Sequence, residues 1–282
     1  MEQIVLTERD ITALFPNREP ETHKGDYGEI LLLCGSVGYT GAAALAAKSA
    51  LRCGTGLVYL GVPKDIYAIE AAKLEEPVVF PLKSYKGQFA PSAVREILRR
   101  MEGMDAVLIG PGIGKEKGSF CAVKTVLENF RGPVVVDADG INVLNGHKDI
   151  LRGRTCPTIL TPHPGEFSRF WGNVGNDRVA AAAVAAQETG CIIVLKGHRT
   201  VITDGKTCYI NHTGNPGMAV GGSGDVLAGV IAGLIGQGVA PLLAAAAGVW
   251  LHGAAGDLCS KELGQQGMLP SDMIEALPRL LK

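Results

Sequence analysis

Along the chain, short uninterrupted apolar runs take turns with longer stretches in which apolar residues recur at helical spacing. The short runs occupy residues 29–34, 57–62, 106–109, 133–137, 158–161 and 192–195. Several are apolar at successive positions without alternation, which suits strands covered on both faces, as in a parallel sheet. Helices are predicted over 41–53, 91–101, 118–129, 177–189, 222–235, 241–258 and 270–280. Strand followed by helix, repeated, implies right-handed crossovers and a three-layer α/β/α sandwich. Between residues 199 and 210 the pattern changes to two strand-like runs meeting at Asp204-Gly205, a dipeptide favoured in tight hairpins. The mainly parallel sheet is therefore expected to end in an antiparallel edge. No linker, low-complexity block or repeat interrupts the pattern, so residues 1–282 are expected to form a single domain.

One stretch calls for a membrane test. Residues 226–256 contain no Asp, Glu, Lys or Arg, and an unbroken helix of that length would cross a bilayer. Gly236-Gln237-Gly238 supplies a stop signal and Pro241 a start signal. Two core helices, and no membrane partner, are expected.

Composition narrows the function classes. A net charge of -1 with 46% hydrophobic residues lacks the basic excess with which nucleic-acid binders neutralise phosphates, so a small-molecule partner is expected instead. The seven cysteines are odd in number and never spaced as C-x-x-C, which reads as reduced thiols of a cytoplasmic protein rather than a disulfide framework or zinc site. The first ten residues carry acidic groups where a signal peptide would be basic, so secretion is not expected. Many of the 38 glycines and 15 prolines stand just after the predicted strands, the edge at which open parallel sheets bind ligands.

The strongest chemical signal lies in residues 215–229, where Gly221-Gly222-Ser223-Gly224-Asp225 opens a predicted helix. Glycines let a phosphate approach the backbone, and the free N–H groups and dipole of a helix start favour its charge. Asp225 would stand in the first turn, placed to take a proton from a hydroxyl attacking a terminal phosphate. An ordinary acidic residue at a helix start has the same look. The familiar phosphate binders do not match. Gly110-Pro111-Gly112-Ile113-Gly114-Lys115 is followed by Glu116, which excludes a P-loop. The dinucleotide fingerprint G-x-G-x-x-G fails because Tyr59, Lys115 and Leu227 fill the last glycine position at its three possible sites.

A series of further motifs precedes the cradle. They are His23-Lys24-Gly25-Asp26-Tyr27-Gly28, Gly35-Ser36, Gly41-Ala42-Ala43-Ala44 and Ile109-Gly110-Pro111-Gly112-Ile113-Gly114. Then come Val136-Asp137-Ala138-Asp139-Gly140, Leu160-Thr161-Pro162-His163-Pro164-Gly165-Glu166 and Leu195-Lys196-Gly197-His198-Arg199-Thr200. In this order, over residues 23–258, the chain resembles the nucleotide-dependent NAD(P)H-hydrate dehydratases, a branch of the ribokinase-like superfamily. Similar kinases carry Asn-x-x-Glu where this chain has His163-x-x-Glu166; the histidine fits the dehydratase branch.

The resemblance implies a ribokinase-like fold and a hydro-lyase that repairs the S epimer of hydrated NADH and NADPH, with ADP or ATP as cosubstrate and Mg²⁺. It implies Asp225 as the catalytic base. Ala42, Ala43, Gly112, His163 and Asp225 are implied contacts of the hydrate. Lys196, Gly197, His198, Arg199, Thr200, Asn215, Gly222, Ser223 and Gly224 are implied contacts of ADP or AMP. Glu166 is the candidate for organising magnesium through water. Asp137 and Asp139, ending a strand as a pair, either meet magnesium-bound water or cap the next element. A homotetramer and a separate epimerase as functional partner are likewise expected from relatives.

Read alone, several of these segments keep blander meanings: His163 as a helix cap, residues 196–200 as a solvated basic turn, residues 110–114 as a plain turn. A small-molecule kinase of the same superfamily, such as a hydroxyethylthiazole kinase, shares the Gly-x-Gly-Asp segment, and a catalytically idle nucleotide-binding regulator would share the fold. His163 and the Lys-Gly-His-Arg-Thr run favour the dehydratase over the first. Retention of Asp225 beside an intact cradle disfavours the second.

Overall fold

The computed structural model describes residues 2–15 and 18–281. Its strands are β1 (Gln3–Ile4), β2 (Glu29–Leu33), β3 (Leu57–Pro63), β4 (Val78–Leu82), β5 (Ser84–Tyr85) and β6 (Gln88–Phe89), then β7 (Ala106–Ile109), β8 (Val134–Val136), β9 (Thr158–Leu160), β10 (Ile192–Leu195), β11 (Val201–Thr203) and β12 (Cys208–Ile210). The first six helices are α1 (Glu8–Thr12), α2 (Thr40–Arg52), α3 (Lys64–Lys73), α4 (Val94–Met101), α5 (Lys117–Asn129) and α6 (Asp139–Val143). The others are α7 (Lys148–Arg152), α8 (Pro164–Trp171), α9 (Arg178–Thr189), α10 (Ser223–Gly236), α11 (Pro241–Leu263) and α12 (Pro270–Ala276).

The main sheet runs β1-β12-β11-β10-β9-β8-β7-β2-β3-β4, while β5 and β6 form a small separate hairpin. Every pair from β10 to β4 is parallel, and β11 is antiparallel to both neighbours, which gives the expected antiparallel edge. The uninterrupted apolar runs have a simple cause. In β2, Ile30 and Leu32 enter one core while Leu31 and Leu33 enter the other, because successive side chains of a strand point to opposite faces. Residues of α2, α3, α10, α11 and α12 cover the first face; residues of α4 to α9 cover the second.

Residues 226–256 do split into two helices. By length and composition α11 could cross a membrane, yet it packs beside α10 with Ala244, Ala247, Leu251 and Ala255 fully buried. The sequence reading omitted β1, α1, α3, β4, the β5–β6 hairpin and the short helices α6, α7 and α8. Edge strand β4 contains Pro81, which interrupts a strand pattern but is tolerated where no ladder bond is needed. Two predicted helices are also shorter than expected. Residues 91–93 form a 3₁₀ turn ahead of α4, and α12 gives way to a 3₁₀ turn at Leu277–Arg279, where Pro278 lacks an N–H to continue.

The strand order places the site. From β2 the chain steps to β3 and β4, then returns to lay β7 on the other side of β2. Between β2 and β7 lies the topological switch point, where loops leave a parallel sheet in opposite directions and open a crevice. Leu33 pairs with Ile109, so both strands end level and their following loops start side by side.

Candidate active site

The two switch-point loops are tied together. Gly35 donates its N–H to Pro111 O at 2.8 Å, and Ser36 Oγ donates to Gly112 O at 2.7 Å. Gly112 has φ +63°, and a Cβ there would lie 2.9 Å from Tyr39 Cβ and 3.0 Å from Ala42 Cβ. Only a glycine brings these loops so close, and the Tyr39 ring stands exposed beside the opening. Ala42 and Gly112 therefore adjoin, as expected. Ala43 does not share this position: it is fully buried, and a Cβ on Gly35 would lie 3.0 Å from its methyl, so its side chain belongs to the core.

At the next strand ends, Asp137 and Asp139 flank Ala138, a non-glycine residue held at φ 49°, a strained conformation that persists where surroundings enforce it. Asp139 does not cap α6, which has no side-chain cap; it accepts the Gly114 N–H at 3.0 Å and so closes the glycine loop after β7. Asp137, only 1% exposed, accepts from Thr161 Oγ1 at 2.6 Å and from Lys196 Nζ at 2.8 Å.

His163 is the N-cap of α8. Its Nδ1 accepts the N–H groups of Gly165 and Glu166 at 3.0 and 3.3 Å, and the Glu166 carboxylate returns a bond from the His163 N–H at 2.9 Å. The capping reading thus holds, and it fixes the tautomer: a neutral ring with Nδ1 accepting carries its proton on Nε2. The half-exposed ring keeps that Nε2–H as its donor toward a ligand, with Glu166 Oε1 at 3.5 Å.

Glycine-led α10 closes the arrangement. Gly222 is its left-handed N-cap at φ +96°, so the first N–H groups of the helix are not satisfied by any capping side chain. Ser223 is buried, its Oγ 3.2 Å from Nε2 of His252 on α11; burial, and secondarily the nearby Lys196 charge, hold His252 neutral, down to about 4. The Lys196 ammonium reaches across the opening so that a Cβ on Gly224 would lie 3.3 Å from its Nζ. Burial works against its charge, but Asp137, Glu166 (3.9 Å away) and Asp225 outweigh that cost and hold its pKa above the ordinary value.

Asp225 stands in the first turn of α10. Burial, followed by the charges of Asp137, Asp139 and Glu166 and opposed by Lys196, raises its carboxyl to about 7. A carboxylate poised there can exchange a proton with a substrate at neutral pH.

The segment 196–200 divides. Lys196 leaves it for the mouth of the cradle. Thr200 turns inward and closes the loop on Gly197 with two bonds, at 2.9 and 3.2 Å. His198 and Arg199 stand exposed at the rim. The five residues expected as one nucleotide segment thus face different ways: Lys196 toward the cradle, Thr200 into its own loop, and Gly197, His198 and Arg199 toward solvent. Asn215 accepts from Gly217 N within its own loop and donates to Asp257 of α11, at 3.0 Å each.

Sequence reasoning missed Arg178. From the start of α9 its guanidinium donates to the carbonyls of Leu195, Lys196 and His198 at 2.8 to 2.9 Å, clamping the loop that carries Lys196. An Asp177-Arg178 pair at a helix start gives no sign of a partner about 20 residues away. Among the described residues no group of three or more His, Cys, Asp or Glu could hold a metal ion.

Known proteins share this fold and sequence pattern. The family model for NAD(P)H-hydrate dehydratase matches residues 30–279. The chain is 43% identical over 285 residues to a bifunctional NAD(P)H-hydrate repair enzyme of Moorella thermoacetica, covering 99% of this chain and 54% of the relative. It thus spans about half the length of the bifunctional relatives it matches. An ADP-dependent (S)-NAD(P)H-hydrate dehydratase of Neisseria meningitidis is 35% identical over 97% of this chain and 92% of its own length. Among solved structures, the ADP/ATP-dependent NAD(P)H-hydrate dehydratase of Bacillus subtilis, co-crystallised with ATP/Mg²⁺, superposes with a TM-score of 0.84 at 34% identity, covering 97% of this chain and 96% of that one. A hydroxyethylthiazole kinase of Pyrococcus horikoshii, at 18% identity and a TM-score of 0.61, shares the fold. Motif order, fold and whole-chain similarity converge, and the chain belongs to the NAD(P)H-hydrate dehydratase family.

Proposed function

We propose that this protein dehydrates the S epimer of hydrated NADH and NADPH, converting ADP to AMP and phosphate. One observation carries the reading: a carboxylate with a neutral-range pKa, Asp225, on the first turn of a glycine-led helix that has no capping side chain, so that its Gly224 and Asp225 amides can hold a phosphate. Asp225 takes the proton of the hydroxyl on C6 of the hydrated ring as that oxygen bonds to the β-phosphorus. The bond from this phosphorus to the α–β bridging oxygen breaks, and AMP leaves. Phosphate on C6 is a far better leaving group than hydroxide. The ring-nitrogen lone pair expels it, and loss of a proton from the adjacent ring carbon restores NAD(P)H. Lys196 and the amides of Gly224 and Asp225 face the phosphoryl group's charge during transfer.

Magnesium is part of the proposal, and when bound it would neutralise phosphate charge. Because no described side-chain cluster could hold it alone, the ion fits only as cargo of the nucleotide's phosphates, with Glu166 the candidate for its water shell. Seven free cysteines suit a reducing compartment, which supports the cytosol as the place of work. A homotetramer stays within the proposal, to be read by light scattering.

The test mixes protein, Mg²⁺ and ADP or ATP with hydrated NADH and follows return of the reduced-nicotinamide absorbance. Recovery that requires a nucleotide supports the reading. No recovery with either nucleotide, together with phosphorylation of a thiazole alcohol, would replace it with a kinase.

A further inference from the structure

Asp137 has no role in the chemistry just described, yet it is almost wholly buried beside it. Its Oδ1 accepts two hydrogen bonds, from Thr161 Oγ1 at 2.6 Å and Lys196 Nζ at 2.8 Å. Thr161 follows β9 and is itself 1% exposed. The carboxylate is therefore fixed from behind by one strand end while it grips a cation arriving from another.

That grip matters because of where Lys196 points. Lysine is a flexible point charge with four carbons of reach, and a free one would wander toward solvent. Here the ammonium is stopped over the first turn of α10, within 3.3 Å of the position a Gly224 side chain would fill. Glu166, at 3.9 Å, is too distant to fix it alone.

We propose that Asp137 is a positioning residue: it pins the Lys196 ammonium over the mouth of the glycine cradle, so that a fixed cation meets the phosphoryl group as it passes from nucleotide to hydrate. This rests on the dehydratase reading. A preorganised charge costs no rearrangement when the transition state forms, which is what makes it catalytically useful. Breaking a buried ion pair on one side leaves the partner uncompensated, so Lys196 without Asp137 would turn to Glu166, Asp225 or water.

A second consequence separates this role from mere structural support. Asp225 faces Asp137 from the end of β8, Asp139 from α6, Glu166 from α8, Lys196 from the end of β10, and Cys34 from the end of β2. His252 of α11 touches its neighbour Ser223 and is neutral. Among these charges Asp137 is the largest that favours the protonated base. Its removal, with Lys196 freed toward Asp225, lets the base ionise at lower pH.

The experiment compares unmutated enzyme, Asp137→Asn, Lys196→Met and the double variant, with ADP and hydrated NADH. In Asp137→Asn the amide oxygen can still accept from Thr161. Turnover at pH 8.5 should fall about tenfold or more, the size of a lost charge-assisted contact. The acid limb of kcat/KM should move down by about one pH unit. In the Lys196→Met background the same change should cost less than about twofold, because residues acting as one unit are not additive. Unchanged turnover, independent losses in the double variant, or an unmoved acid limb each overturn the proposal. If Asp137→Asn does not fold, ¹⁵N spectra of lysine side chains in the unmutated enzyme decide: a slowly exchanging, ordered ammonium assigned to Lys196 supports the pairing, and one averaging like surface lysines overturns it. Failure of the unmutated enzyme to dehydrate would instead strike the dehydratase reading itself.

Discussion

Replacing Asp225 by asparagine should produce a protein that is nearly inactive and, at alkaline pH, more stable than the original. The Asp225 carboxyl is pushed up to about 7 in the folded protein, against 3.8 for the free side chain. Because the folded value is raised, the folded state holds the proton more tightly than the unfolded chain does. That stabilisation is complete below about pH 4 and disappears as pH rises through about 7. A gap of roughly three pH units, at about 1.4 kcal/mol each, means that the ionised carboxylate costs the fold on the order of 4 kcal/mol at pH 8.

Asparagine mimics the protonated form at every pH. The variant should thus gain on the order of 4 kcal/mol at pH 8 and less than half of that at pH 5. For a chain of this size the alkaline gain corresponds to a rise in Tm of roughly 8 °C. Denaturant unfolding of both proteins at the two pH values measures the difference directly. Turnover should meanwhile fall by about 10²–10⁴, the usual worth of a general base. In the unmutated enzyme, kcat/KM should climb as pH rises through about 7, where Asp225 loses its proton. Equal stability gains at pH 5 and pH 8, or a loss at pH 8, would refute the electrostatic account. Normal turnover would remove Asp225 from the chemistry.

Other perturbations report on neighbouring parts of the site. Arg178→Ala should unclamp the loop at residues 195–198 and raise KM for ADP by about tenfold with a smaller change in kcat, in line with three charge-assisted bonds lost from a positioning group; steady-state kinetics at saturating hydrate measures it. Gly224→Ala places a methyl 3.3 Å from the Lys196 ammonium and should weaken ADP binding by roughly tenfold in a titration calorimeter without lowering Tm by more than a few degrees. His252, held neutral down to about 4 by burial, has a depressed folded pKa, so its contribution is present above about 6.5 and is lost as pH falls toward 4. His252→Gln should remove on the order of 3 kcal/mol of that acid sensitivity, read from unfolding at pH 7.5 and pH 4.5.

The fold was readable wherever burial on both faces wrote unbroken apolar runs, as in β2, β7, β8, β9 and β10. It was not readable in α3, where charged Glu70 is buried while Tyr67 and Ile69 are exposed, so the apolar positions do not trace the buried face. The site follows the same division. Glycine loops advertise themselves because close backbone approach demands a residue type, and Asp225 was placed by its neighbours in sequence. What spacing could not show is direction: whether Lys196 turns outward with His198 and Arg199 or doubles back to Asp137, 59 positions away.

That direction decides the chemistry. Three carboxylates, those of Asp137, Glu166 and Asp225, gather around one ammonium, and the charge of Asp139 also reaches Asp225. Adding a nucleotide's phosphates to such a place would by itself push Asp225 further toward its protonated, inactive form. A cation must arrive with the phosphates if the base is to work at neutral pH, and Lys196, already shared with Asp137 and Glu166, cannot balance the new charge alone. The dependence on a divalent ion should accordingly be steepest near and below pH 7, where Asp225 is mostly protonated without it. It should flatten toward pH 9, where the base is ionised regardless. A magnesium requirement of equal steepness across that range would show that the ion serves the phosphates alone and leaves Asp225 untouched.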